Sequence, residues 1–155
     1  MNASASDGLH AAPRAAIFLP VAYLLHLGEE WFGDLPGWTV NAPGGEVSPE
    51  QFLLVNAIAF FLFAVGTLAA LRYEGMAWFA AAFAALVGVN GVVHALASVV
   101  VGSYAPGTVT GLLLYIPLSV IILRTSATRL PRIVFTGSVV FGVVVHVLAY
   151  FAARS

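Results

Sequence analysis

His26-Leu27-Gly28-Glu29-Glu30 puts one imidazole and two carboxylates within five residues, near the end of an apolar run that begins at Ala15. The run holds no Lys or Arg to pair with them. Ionisable groups inside a membrane span are costly and mark functional sites by default. Two further histidines, His94 and His146, lie in later apolar runs, and Asn56 and Asn90 add amides. The chain has no Cys, which excludes disulfides, thiolate metal sites, iron–sulfur clusters and a Cys nucleophile together. Any metal must be held by His, carboxylate, amide or hydroxyl groups. His26, His94 and His146 with one carboxylate from Glu29 or Glu30 would complete a ligand set for zinc, iron or manganese. The other carboxylate would remain as a general base or a bridge to a second metal.

The elements that must position these groups are membrane spans. Of 155 residues, 61% are hydrophobic and 8% charged, against about 25% charged in a soluble domain. The expected fold is an all-α polytopic membrane helix bundle. A short cytoplasmic tail, 1–14, precedes a single transmembrane domain over 15–153. His10 belongs to the tail and takes no part in a site. The net charge of −1 and the lack of any Lys exclude nucleic acid as a partner. Arg14 and the apolar run behind it resemble a signal peptide, but HLGEEWFGD follows in place of a small-residue cleavage site, so the run stays in the mature protein.

Five spans are predicted, at 15–32, 51–71, 76–101, 108–123 and 133–151, each near the roughly 20 residues that cross a bilayer. Pro20 is expected to kink the first, and Pro117 interrupts the short fourth. Trp31, Phe32 and Trp38 suit a membrane–water interface. Residues 33–50 form a loop long enough to act as a lid, with solvated acids at Asp34, Glu46 and Glu50. Ser48, Pro49 and Gln51 signal the next helix start. Gly102 to Gly107 is a tight turn, and Arg124, Arg129 and Arg132 mark the one after it. The absence of an internal repeat argues against an inverted-repeat transporter.

Arginine placement orients the bundle. With the N-terminus cytoplasmic, Arg14, Arg72, Arg124, Arg129 and Arg132 lie inside and Arg154 alone outside, so the C-terminus is outside. In that frame His26 is seven residues from Gly33, His94 seven from Val101, His146 five from Phe151 and Asn56 five from Gln51. All four therefore sit about 7–11 Å below one outer boundary. Helical spacing puts His26, Glu29 and Glu30 on one arc, with Tyr23 a turn below. Asn90 and His94 share a face, so the amide would orient the imidazole or reach the same ligand, and Asn56 is placed with it as a supporting group. Glycines at 88, 91 and 142 leave room for close helix contact or for a small molecule.

Two carboxylates beside neutral imidazoles leave an uncompensated charge in low dielectric. A divalent cation balances it, or protons do, or the groups form structural hydrogen bonds. Asn56 and Asn90 have a plain alternative as helix–helix hydrogen bonders, and Glu30 one as an interfacial group facing water.

HLGEE is the motif of the HXXEE-domain family of small membrane proteins, which the chain resembles over roughly residues 15–150. The family is also described by a further histidine and a YxPG motif, matched here by His94 or His146 and by Tyr104-Ala105-Pro106-Gly107. The resemblance implies that these motif residues make the site, and it specifies no reaction. Tyr104 is either an aromatic-belt residue of the turn or a hydroxyl donor to a bound oxyanion.

The leading reading is a metal-dependent membrane enzyme with zinc or iron, its site near the outer face and Glu29, Glu30 and Tyr104 as catalytic groups. A hydrolase acting on a membrane lipid or small amphiphile is the most economical form, and iron would support oxidation. A metal- or proton-coupled carrier is the second reading, although no span carries an ionisable residue in its inner half. A non-catalytic structural protein is the third. The small-residue helices also permit a homo-oligomer.

Overall fold

The computed structural model describes residues 12–42 and 45–153, and His10 and Arg154 lie outside them. Among the described residues every regular element is helical. After a 3-10 segment, Arg14–Phe18, come α1 (Leu19–Phe32), the short α2 (Leu35–Thr39) and α3 (Pro49–Arg72). They are followed by α4 (Glu74–Val101), α5 (Thr108–Arg129) and α6 (Arg132–Ala152). Four of these, α3 to α6, are long and apolar enough to cross a membrane. Their outward faces carry Leu54, Phe61, Leu68, Val99, Ile133 and Phe151 fully or largely exposed, which suits lipid rather than water. The chain is a multi-pass membrane helix bundle.

The first rod departs from the uniform span expected over 15–32. Pro20 lacks an N–H, so it sits in the first turn of α1, where no intrahelical donor is needed. The five residues before α1 take the tighter 3-10 form. The 14 residues of α1 are short for a span, but with the 3-10 segment the rod extends roughly 31 Å.

The described parts of the loop, 33–42 and 45–50, carry more regular structure than their composition suggests. Asp34 takes a left-handed backbone (φ 55°) and caps α2, its carboxylate accepting from Gly37 N–H at 3.1 Å. Thr39 is buried; its hydroxyl donates to the Pro36 carbonyl and accepts from Val47 N–H. Ser48 and Gln51 form a reciprocal capping box at the start of α3, as Ser48-Pro49-x-Gln51 predicted.

The fourth rod is longer than expected. Arg124 and Arg129, assigned to a turn, lie within α5, which runs to Arg129. The Thr125 and Thr128 hydroxyls turn back onto the carbonyls of Ile121 and Thr125, and the helix stops where Leu130 becomes extended before Pro131. Pro117 acts earlier in the same rod. Residues Gly111–Tyr115 adopt the wider π form just before it, the usual local answer to a missing N–H in a helix.

Helix α4 is the axis of the bundle and packs against α3, α5 and α6. Its buried residues Ala80, Ala84, Val87, Gly91 and His94 form one stripe at alternating spacings of four and three. The α1 stripe of Leu19, Tyr23, His26 and Glu30 runs the same way. Each stripe carries site residues at one end. Small residues let the rods approach, so the glycines serve close contact rather than a cavity: Ser119 lies against Gly88, and the Ala82 carbonyl against Gly142. At the α4–α5 crossing a Cβ on Gly91 would lie 2.8 Å from the Gly111 carbonyl oxygen. Gly91→Ala is therefore expected to lower stability by about 1–3 kcal/mol, measured as the unfolding midpoint in detergent.

The first rod and α5 run antiparallel. The Arg129 guanidinium donates to the Ala12 carbonyl at 3.4 Å, which brings the end of α5 beside the start of the first rod. At the opposite end the close of α1 meets the start of α5.

Candidate metal centre

The two acidic residues of HLGEE diverge. Glu30 continues the buried stripe of α1 and turns into the bundle, whereas Glu29 turns toward the start of α5. There the Glu29 carboxylate meets donors only. Oε1 accepts from Tyr104 Oη–H, Gly107 N–H at 3.1 Å and Val109 N–H at 2.9 Å. Oε2 accepts from Thr110 N–H at 2.6 Å and Thr110 Oγ1–H at 2.5 Å. The first N–H groups of a helix have no partner of their own and favour negative charge. Glu29 supplies both from another helix, so it acts as a cap in trans.

This explains YAPG. Tyr104 and Gly107 both donate to Glu29. Pro106 is fully buried and packs on Gly33 at the end of α1. From the other side Ser98 of α4 holds the turn: its hydroxyl accepts from Ala105 N–H at 3.0 Å, donates to the His94 carbonyl, and lies 2.7 Å from Thr108 Oγ1. Partial loss of water, then the hydrogen bond to Glu29 and its charge, push the Tyr104 phenol up to about 12. It therefore remains a donor across the physiological range.

Glu30, His26 and His94 converge. Oε1 of Glu30 lies 3.3 Å from His26 Nε2 and 3.1 Å from His94 Nε2. All three residues are buried, and one ligand atom from each falls within 4.8 Å of the others. The imidazoles stand edge to face with centroids 5.0 Å apart. On its other nitrogen, His26 Nδ1 lies 2.7 Å from Thr110 Oγ1. Its Nε2 is buried and, despite its nearness to Glu30, has no hydrogen-bond partner among the described residues.

Gly107 roofs the site. Its backbone is left-handed (φ 97°), and a Cβ there would lie 2.8 Å from the His94 ring and 2.9 Å from His26 Cε1. Both the conformation and the space require glycine. Gly107→Ala is expected to displace the turn from Glu29 and lower the unfolding midpoint, whereas Gly137→Ala, where an added Cβ meets nothing within 4 Å, is expected to change it much less.

The remaining sequence-predicted residues separate by position. His146, half-buried on α6, is not one of the three converging ligands. Asn56 does not reach the centre. It accepts from Tyr23 Oη–H at 2.5 Å and donates to the Phe52 carbonyl, tying α3 to α1. Asn90 lies one turn from His94 with its Oδ1 buried and unpartnered among the described residues. One residue, Thr110, escaped the sequence reading. It bridges Glu29 and His26, and only its place just after YAPG hinted at it. Tyr115 packs beneath the His26 ring, centroids 4.3 Å apart; the π turn before Pro117 puts it there.

Among family profiles, one described as a protein of unknown function with HXXEE motif matches residues 17–122. The chain belongs to the HXXEE family. No curated protein and no solved structure matches it. The two motifs that mark this HXXEE protein are thus parts of one assembly. The first carboxylate of HLGEE holds the YAPG turn, and the second meets two histidines under that turn's glycine.

Proposed function

We propose that this HXXEE protein is a metal-dependent membrane enzyme acting on a membrane lipid or small amphiphile, with His26, Glu30 and His94 holding a divalent zinc or iron ion. The observation that carries the reading is the convergence of three buried ligand atoms around an unpartnered His26 Nε2. The donor spacing supports it. Ligands about 2.0–2.1 Å from a tetrahedral zinc lie roughly 3.3 Å apart, and the Glu30 oxygen is 3.3 and 3.1 Å from the two Nε2 atoms. Without a cation, or a proton in its place, a carboxylate oxygen and two imidazole lone pairs would face one another in a buried site, which is unfavourable.

Three protein ligands leave a coordination position for water or substrate, the pattern of catalytic rather than structural zinc. A metal held there would supply acidified water for hydrolysis if it is zinc, or redox chemistry for oxidation if it is iron. Glu29, with its oxygens occupied by five donors, serves the turn and not proton transfer. An amphiphilic substrate is supported by an apolar groove of about 340 Å³ between α1 and α5, lined by Phe18, Val21, Leu25, Leu114 and Pro117. Leu25 adjoins His26 in the chain, so a tail in the groove would bring its head toward the site. The arginine distribution supports a cytoplasmic N-terminus and a site near the outer face.

Metal analysis by mass spectrometry on detergent-purified protein tests the reading. Near-stoichiometric zinc or iron in wild type, lost in His26→Ala and His94→Ala, is the expected result. His146→Ala is expected to retain the metal; loss there would make His146 a fourth ligand and close the site. A folded wild type, extracted without chelator, that contains no metal and takes up none would overturn the reading.

A further inference from the structure

The unpartnered face of His26 is set from its opposite edge. We propose that Thr110 and Glu29 form a positioning relay that fixes the His26 hydrogen on Nδ1 and presents the Nε2 lone pair to the centre of the cluster. The inference rests on the metal-site reading for its purpose, but its geometry is independent of any metal.

The assignment follows from counting hydrogens. Thr110 has one hydroxyl hydrogen and two neighbours, Glu29 Oε2 at 2.5 Å and His26 Nδ1 at 2.7 Å. A carboxylate accepts only, and the other contacts of Glu29 are all donors. The Thr110 hydrogen must therefore point at Glu29. Its oxygen then offers a lone pair to His26, so Nδ1 must carry the hydrogen. In the neutral ring Nε2 is left as the acceptor, aimed at the place where Glu30 and His94 converge. Metal-binding histidines commonly donate their other N–H to a carboxylate or another acceptor, which fixes the ring and raises its basicity. Here a threonine hydroxyl is interposed. The same carboxylate caps α5, so folding of the YAPG turn and choice of the His26 tautomer are one event.

Three proteins separate this role from packing: wild type, Thr110→Val, which keeps the shape and removes the hydroxyl, and Thr110→Ser, which restores it. The ring-nitrogen shifts of His26 are read by NMR in metal-free, isotope-labelled protein at mildly alkaline pH, assigned against His26→Ala. Wild type and Thr110→Ser are expected to show hydrogen on Nδ1, and Thr110→Val a mixture. Zinc affinity is expected to fall by about 10–100-fold in Thr110→Val, the usual cost of losing such a partner, and to recover in Thr110→Ser. Hydrogen on Nε2 in wild type would overturn the relay, as would an unchanged tautomer and affinity in Thr110→Val. If wild type carries the Nδ1 hydrogen yet binds no zinc or iron, the relay stands and the metal reading fails.

Discussion

Replacing Glu30 by Gln is expected to cost more than about 100-fold in metal affinity while the bundle stays folded. The floor comes from outer partners of a metal site, whose removal costs about 10–100-fold; Glu30 is the only carboxylate among the three converging ligands. Gln has nearly the same shape, so the stripe of Leu19, Tyr23 and His26 below it need not repack. Its amide oxygen is a poorer ligand, and the negative charge that two neutral imidazoles cannot supply is gone. Isothermal titration of metal into stripped protein, beside an unfolding curve, measures both. Wild-type affinity in Glu30→Gln would remove Glu30 from the site.

The adjacent substitution is expected to fail in the opposite way. Glu29→Gln should lower stability on the order of 3 kcal/mol, since a buried donor left unsatisfied costs about 1–3 kcal/mol. Five donors converge on the two Glu29 oxygens. An amide turned one way sets its N–H2 against Thr110, and turned the other way against Tyr104, Gly107 and Val109. At least two donors lose their acceptor in either case. Part of the cost is recovered from water, because Glu29 is only half-buried. Unfolding of metal-free protein in detergent is the measurement. A wild-type midpoint would show that the turn is held by Ser98 and Pro106 alone. Neighbouring acids of one motif would thus separate, Glu30 by metal affinity and Glu29 by stability.

The contrast bears on what the HXXEE motif encodes. His26 needs a residue four positions on to reach the same buried point, which is Glu30, and one three positions on to face the next rod, which is Glu29. YAPG supplies to Glu29 a phenol and a backbone N–H, and to the histidines a roof with no side chain.

Much of this was legible without coordinates. Composition determined a membrane helix bundle, because a chain with 8% charged residues cannot cover itself with polar surface. The helix start at Ser48 was legible because a capping box is local. The shared depth of His26 and His94 followed from counting along spans, and the two rods do bring them together. Facing was another matter. These helices are apolar nearly all round, so no polar stripe separates inside from outside. HLGEE alone put Glu29 and Glu30 on one arc; the close of α1 against Pro106 sent the first to α5 and left the second with the histidines. Likewise the π turn before Pro117 put Tyr115 under His26, and the Gly91–Gly111 contact brought Thr110 within reach. Local chemistry is written in the residues themselves, but which atoms meet across a lipid-facing bundle depends on how closely its backbones can pack.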